Sequence, residues 1–227
     1  MTAVRLADRG HWQRAVHLEH VWGTVVTIEL RGEQVAEESA EAAMQAAVVL
    51  SHQVDEMFST YRPDSAVTGL RTGALALDAT PPEVREVWHA CEYAKWRSRG
   101  AFDPWAVSGG FDPSGLVKGW AADRMADLIV AAGFPNVCVN AAGDVTCRGE
   151  QAPGVPWSVG IRHPQLALEV VRTVSITDAA VATSGSYERG EHIVNPHPRA
   201  SAAMLDSATV VGPDGALADA LATALVV

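Results

Sequence analysis

Near the C-terminus, "ADALATAL" (218–225) places Asp219 and Thr223 four residues apart among Ala and Leu. On a helix that spacing sets both side chains on one face. A carboxylate and a hydroxyl are both oxygen ligands suited to a hard cation such as Mg²⁺. The competing account is structural: an Asp near the first turn favours the helix dipole, and the Thr hydroxyl bonds back to a carbonyl. Upstream, "FDPSGLVKG" (111–119) sets Asp112 and Lys118 on either side of Gly115 at the entrance of a helix. Amides at a helix N-terminus and a nearby ammonium attract phosphate, and a Gly lets the backbone approach a ligand closely. A capped helix with one exposed Lys accounts for the same residues. His192, in "ATSGSYERGEHIVNP" (182–196), follows a Thr-Ser-Gly turn and is either a general base or a hydrogen-bonded structural residue. Tyr61, in "STYRPDS" (59–65), either stacks on a planar ring or covers the core.

Composition narrows the chemistry. Seventeen basic residues against 27 acidic ones give a formal net charge of -10, which excludes a broad nucleic-acid surface but leaves room for one small anionic ligand. Lys occurs only at 95 and 118, which gives each more weight. Cys91, Cys138 and Cys147 form no CxxC pair and leave an odd thiol in any disulfide scheme, so buried reduced thiols are expected. No stretch approaches eighteen uninterrupted apolar residues, so no membrane span is expected. The N-terminal "MTAVRLADRGHWQRAVHLEH" interrupts every apolar run with charge or His, has neither a signal-peptide core nor a lipoprotein cysteine, and implies a cytoplasmic protein. Its first sixteen residues are expected to be a flexible lead-in.

The positioning elements follow from periodicity. "HVWGTVVTIEL" predicts a strand entering from a tight turn, and 33–58 predicts a long amphipathic helix with Val35, Met44, Val48, Val54 and Phe58 largely on one side. "ALALD" is expected as a short strand, and "TPPEVREVWHACEYAKWRSRG" as a second helix with Pro at its start and basic residues and Gly at its end. A Gly/Pro-rich loop leads into a third helix ending at Gly133. From 136 onward the chain predicts short strands, among them "NVCVNAAGDVTCRG" as a hairpin with a Gly-Asp turn, before a final helix, "DGALADALATALVV". Helices in the first half and an antiparallel sheet in the second indicate one α+β domain over 1–227.

Seven segments then occur in a telling order: "WGT", "FSTYRPDS", "GAFDP", "DPSGLVKGWAAD", "VNAAGDV", "VATSGSYERGEHIVNP" and "ADALATAL". From about residue 20 to the end the chain resembles the ApbE-type flavin transferases, the FAD:protein FMN transferases. The resemblance implies a T-fold-like α+β architecture with a flavin cleft. It also implies cleavage of the FAD pyrophosphate with Mg²⁺ (Mn²⁺ as the alternative) and attachment of FMN to a Thr or Ser hydroxyl of an acceptor flavoprotein. A FAD-binding protein or FAD pyrophosphatase on the same fold, without protein transfer, is the second functional class. The resemblance implies that Gly115, Asp219 and Thr223 hold the metal, and that Trp22, Tyr61, Ala101, Phe102, Asp103, Asp112, Lys118 and Ile193 contact the nucleotide. It implies a catalytic role for His192 as base and for Lys118. Three residues depart from the family pattern: Trp22 for a usual Met, Ala142 for the first Gly of a GGD turn, and Asn195 for a usual Asp.

Overall fold

A computed structural model describes residues 12–166, 168–185 and 205–227. The chain opens with β1 (Gln13–Val21) and β2 (Thr24–Gly32), an antiparallel hairpin closed by Trp22 and Gly23 at φ 58° and 68°. Positive φ at both central residues matches the right-handed twist of the flanking strands. Sequence periodicity predicts one strand here, whereas there are two. β1 is an edge strand whose exposed face carries Leu18 and His20, while its other face sets His17 and Glu19 beside buried Ala15 and Val21, so its alternation is blurred.

Helix α1 (Glu38–Phe58) follows, and buries Met44, Val48, Val54 and Phe58 as their spacing predicts. The short α2 (Ala66–Thr72) is capped by Ser65, whose Oγ accepts the Thr68 N–H at 3.0 Å. "ALALD" forms a 3₁₀ turn at Leu77–Ala79 rather than a strand. Its apolar alternation imitates period two, but it pairs with no strand. Next come α3 (Pro82–Arg97) and α4 (Ser114–Ala131). The remaining elements are β3 (Val137–Ala141), β4 (Asp144–Arg148), β5 (Trp157–Arg162), β6 (Val170–Ile176), β7 (Ala179–Gly185), β8 (Ser207–Gly212) and α5 (Gly215–Val226).

Six strands form one antiparallel sheet in the order β1-β2-β3-β4-β7-β8, and β5 pairs with β6 separately. Alternation along β2 and β3 turns Val26, Ile28, Leu30, Val137 and Val139 onto one face, against Met44 and Val48 of α1 and Met125 and Ile129 of α4. The opposite face, with Val145, Cys147 and Val181, packs on Trp157 and Ile176 of the small sheet. A third cluster joins α1, α3, α4 and α5 through Phe58, Val87, Trp120 and Ala220. α4 therefore lies at the centre of the helical layer, and its residues reach both the sheet and α5. The α+β class and the largely antiparallel sheet are those expected from the sequence.

Two turn readings change. The β3–β4 turn is Ala142-Gly143, at φ 60° and 104°, and Asp144 is already the first residue of β4. Thr183, Ser184 and Gly185 are the end of β7, paired with β8, rather than a turn. Ala142 holds a left-handed conformation that disfavours any Cβ. Ala142→Gly is expected to raise unfolding free energy by about 0.5–1 kcal/mol, the strain relieved exceeding the added unfolded-chain entropy. Equilibrium urea unfolding checks this, and a destabilised variant would show that the turn carries no strain.

Candidate active site

Lys118 is in the second turn of α4, and its Nζ is 2.8 Å from Asp144 Oδ2. Asp144 is buried at 3% relative exposure, because the tight Ala142-Gly143 turn brings the start of β4 under α4. The pair joins helix and sheet, and Lys118 lines a cavity of about 310 Å³. The cavity is walled by Trp22 and Gly23 of the first hairpin turn, by Val54 and Phe58 at the end of α1, and by Tyr61 beyond it. Trp22, Tyr61 and Lys118, distant in the chain, thus meet at one place. The Trp22 ring lies between two core clusters and donates its Nε1–H to Ser51 O at 3.1 Å, so its plane is fixed. Tyr61 is 95% exposed and held by little. A second cavity of about 1120 Å³ shares Gly23 with the first and runs over Asn140, Ala142, Val145, Arg162 and Thr183 toward the small sheet.

Behind Lys118, α4 packs on α5 with almost no separation. A Cβ at Gly119 would lie 2.1 Å from Gly215 O, so only glycine fits there. The Gly119 N–H donates to Asp219 Oδ2 at 3.3 Å, and Asp219 is 2% exposed. One turn later Thr223 meets Gly115: a Cβ at Gly115 would be 3.2 Å from Thr223 Oγ1 and 3.3 Å from the Phe102 ring. Gly115 leaves helical geometry at φ −87°, ψ 19°, in the first turn of α4. Thr223 Oγ1 is also 3.0 Å from Ser184 Oγ on β7. The three residues expected at a metal, Gly115, Asp219 and Thr223, are therefore gathered along one seam between α4 and α5. Among the described residues no group of three His, Cys, Asp or Glu side chains is clustered for a metal, so any cation here would depend on hydroxyl and carbonyl oxygens as well.

The remaining expected residues take other positions. Phe102 is buried beneath Gly115, and the Ala101 and Phe102 N–H groups donate to Ser98 O and Oγ at 3.2 and 3.0 Å. Asp103 is 2.7 Å from Lys95 Nζ and accepts the Trp105 N–H. Asp112 Oδ1 accepts the Ser114 N–H at 3.0 Å in a local turn just before α4, with Arg71 4.0 Å away. None of Ala101, Phe102, Asp103 and Asp112 lines the cavity that holds Trp22, Tyr61 and Lys118. His192, Ile193 and Asn195 lie outside the described residues.

Three positioning residues escape sequence reasoning. Asp144 reads as turn chemistry until its burial against Lys118 is seen. Ser184 reads as a turn but is a strand residue in contact with Thr223. Asp123, four residues after Gly119, accepts the Gly215 N–H at 2.7 Å, the Thr146 hydroxyl at 2.9 Å and Arg148 Nη2 at 3.3 Å. It ties the start of α5 to α4 and β4. Burial pushes its carboxyl above the usual range, although these donors oppose the shift. The spacing Lys118-Gly119…Asp123 contains the only sequence trace of that anchor.

Comparison with known proteins agrees with this architecture. The ApbE family model matches residues 22–108 and 106–227. The FAD:protein FMN transferase of Vibrio cholerae serotype O1 is 33% identical over 126 residues, which are 51% of this chain and 38% of that relative. The FAD:protein FMN transferase of Rhodobacter capsulatus is 36% identical over 125 residues, 51% of this chain and 24% of the relative. The matched part therefore spans little more than a third of the Vibrio relative's length. Among solved structures, the flavin transferase ApbE from Vibrio cholerae superimposes with a TM-score of 0.80 at 21% identity, covering 94% of this chain and 86% of that one. The ApbE protein from Thermotoga maritima does so at 0.78 and 22%, covering 93% and 86%. With the family model matching from Trp22 to the last residue, this chain belongs to the ApbE family.

Proposed function

We propose that the chain, acting as one domain, transfers FMN from FAD to a Thr or Ser hydroxyl of an acceptor protein and releases AMP. The observation that carries the reading is the meeting of Trp22, Tyr61 and Lys118 on one cavity whose floor helix, α4, also forms the Gly115–Thr223–Asp219 seam. Two aromatic rings suit a planar flavin or adenine, and an ammonium on the cavity wall suits the pyrophosphate. In this proposal the nucleotide extends beyond that cavity to reach Ala101, Phe102, Asp103 and Asp112, and Ile193 completes its contacts. The oxygen donors of Asp219, Thr223 and the Gly115 carbonyl fit a hard cation, Mg²⁺ or Mn²⁺, better than a thiolate-seeking metal. When bound, such a cation neutralises pyrophosphate charge.

The chain's own groups account for the rest of the chemistry. Lys118, held by the buried Asp144, presents fixed positive charge without reorganisation during the reaction. Trp22 and Tyr61 orient the ring system and hold the reacting phosphorus in place. His192 takes the proton of the acceptor hydroxyl. The new bond joins that oxygen to the FMN phosphorus, and the bond to the bridging oxygen breaks, with AMP as leaving group. Incubation with FAD, Mg²⁺ and a cell extract should give a denaturation-resistant fluorescent band, with one AMP released per flavin attached. FAD consumption with AMP and free FMN but no labelled protein would replace transfer by hydrolysis.

Tyr61 provides a clean probe of the cavity because its near-complete exposure makes its removal structurally mild. Tyr61→Ala is expected to weaken FAD binding by about 1 kcal/mol, roughly fivefold in Kd, with an unchanged melting temperature. Trp22→Ala should weaken binding similarly but also lower stability, since its ring fills space between two clusters. Flavin fluorescence titration measures both, and unchanged constants for the pair would place the nucleotide elsewhere.

A further inference from the structure

Cys138 on β3 and Cys147 on β4 are directly opposite each other, and both are free thiols. The hairpin's closing pair is Ala141–Asp144, flanking a two-residue turn with positive φ at both positions. Such a closing pair is hydrogen-bonded, and bonding alternates along an antiparallel ladder. Asn140–Val145 and Cys138–Cys147 are then non-hydrogen-bonded pairs, whose Cα atoms stand roughly 4.5 Å apart with side chains leaning together. That separation falls within the range a disulfide spans, roughly 4.4–6.8 Å between Cα atoms. Both side chains are on the face of the large sheet that packs on the small one.

The two sulfurs differ in access. Cys138 is half-buried and lines the large cavity between the two sheets, while Cys147 is buried at 0% exposure. We infer that Cys138 and Cys147 form a reversible dithiol–disulfide pair, entered through Cys138 by a small soluble disulfide that reaches the inter-sheet cavity. The Cys138 thiolate attacks one sulfur of the incoming disulfide, forming a mixed disulfide and releasing one small thiol. Cys147 then loses its proton and displaces the second small thiol, closing the cross-strand bond. Two protein thiols are oxidised and one small disulfide is reduced to two thiols. The contact with Cys138, followed by burial, pushes the Cys147 thiol up, which suits the resolving rather than the attacking position. Cys91 takes no part: it is buried on α3 in the helical cluster, and burial pushes its thiol up too.

The pair is on the hairpin that carries Asp144, so its oxidation clips the strands beneath the Lys118–Asp144 contact. Oxidised glutathione is the probe. Across a series of glutathione redox buffers, acid quenching, denaturation and maleimide labelling should show three reactive thiols in the reduced chain and one in the oxidised chain. Intact mass should fall by about 2 Da, and peptide mapping should join Cys138 to Cys147. Cys147→Ser should instead trap a glutathione adduct of about 305 Da on Cys138, and Cys91→Ser should leave the pair's behaviour unchanged. Three thiols persisting at every ratio, a stable adduct on the wild-type chain without ring closure, or a bond that includes Cys91 would each overturn the assignment. If Cys147→Ser fails to fold, the Cys91→Ser thiol count decides alone, because only the proposed pair can then disappear.

Discussion

Asp219→Ala is expected to reduce flavin transfer about a thousandfold or more while FAD binding changes by no more than a few fold. Asp219 is 2% exposed on a helix of Ala, Leu and Val, and a carboxylate buried there is costly unless something charged or strongly donating uses it. The Gly119 N–H is one of its partners, at 3.3 Å. In the proposed reaction Asp219 would hold a cation together with Thr223 and the Gly115 carbonyl. Such a cation would act chiefly on charge that develops as the phosphorus is transferred, which is why turnover should suffer more than binding. Transfer at saturating FAD, FAD affinity and melting temperature in the same variant separate the accounts. Wild-type turnover in Asp219→Ala would remove the residue from the reaction. Loss of FAD binding together with a collapsed melting temperature would make Asp219 a structural residue joining α4 to α5.

Much of this seam is visible in the sequence only after its elements are known. The i,i+4 spacing of Asp219 and Thr223 is local, so it survives as a readable pattern. The same is true of α1, whose Met44, Val48, Val54 and Phe58 keep helical period because one face packs on the core throughout. β1 is harder to read, since an edge strand tolerates Arg14 and His20 on one face and half-buried His17 and Glu19 on the other. "ALALD" misleads for the opposite reason: it has the alternation of a strand with no partner to pair with. Asp144 and Asp123 are harder still. Their roles depend on contacts with residues 26 and 92 positions away, and no local pattern distinguishes a buried hairpin Asp from an exposed one. Asp112 shows the converse, a residue whose evident contact is local, a turn bond to the Ser114 N–H at the entrance of α4.

Gly119→Ala is expected to lower the melting temperature by roughly 4–8 °C and to take transfer activity with it. Helix propensity alone argues the other way, because replacing a mid-helix Gly by Ala gains about 1 kcal/mol. Sterics decide the sign. The added Cβ would be 2.1 Å from Gly215 O, 2.5 Å from Gly215 C and 3.1 Å from Ala216 N, and all three are backbone atoms that no rotamer change can move aside. Relief requires α5 to back away from α4. That shift strains the Gly215 N–H bond to Asp123 at 2.7 Å, opens the Ala216 and Ala220 packing, and draws Asp219 and Thr223 away from Gly115. Overpacking of this kind costs about 3 kcal/mol or more, which outweighs the propensity gain. In a domain of this size each net kcal/mol shifts the melting temperature by roughly 2–4 °C. Gly212→Ala is the control, since a Cβ there meets nothing within 4 Å and its φ is ordinary for an L-residue. It should melt within a degree or two of wild type. Equal behaviour of the two variants would mean that α4 and α5 separate freely, and that the close approach at Gly119 does not set the geometry of the Gly115–Thr223–Asp219 seam.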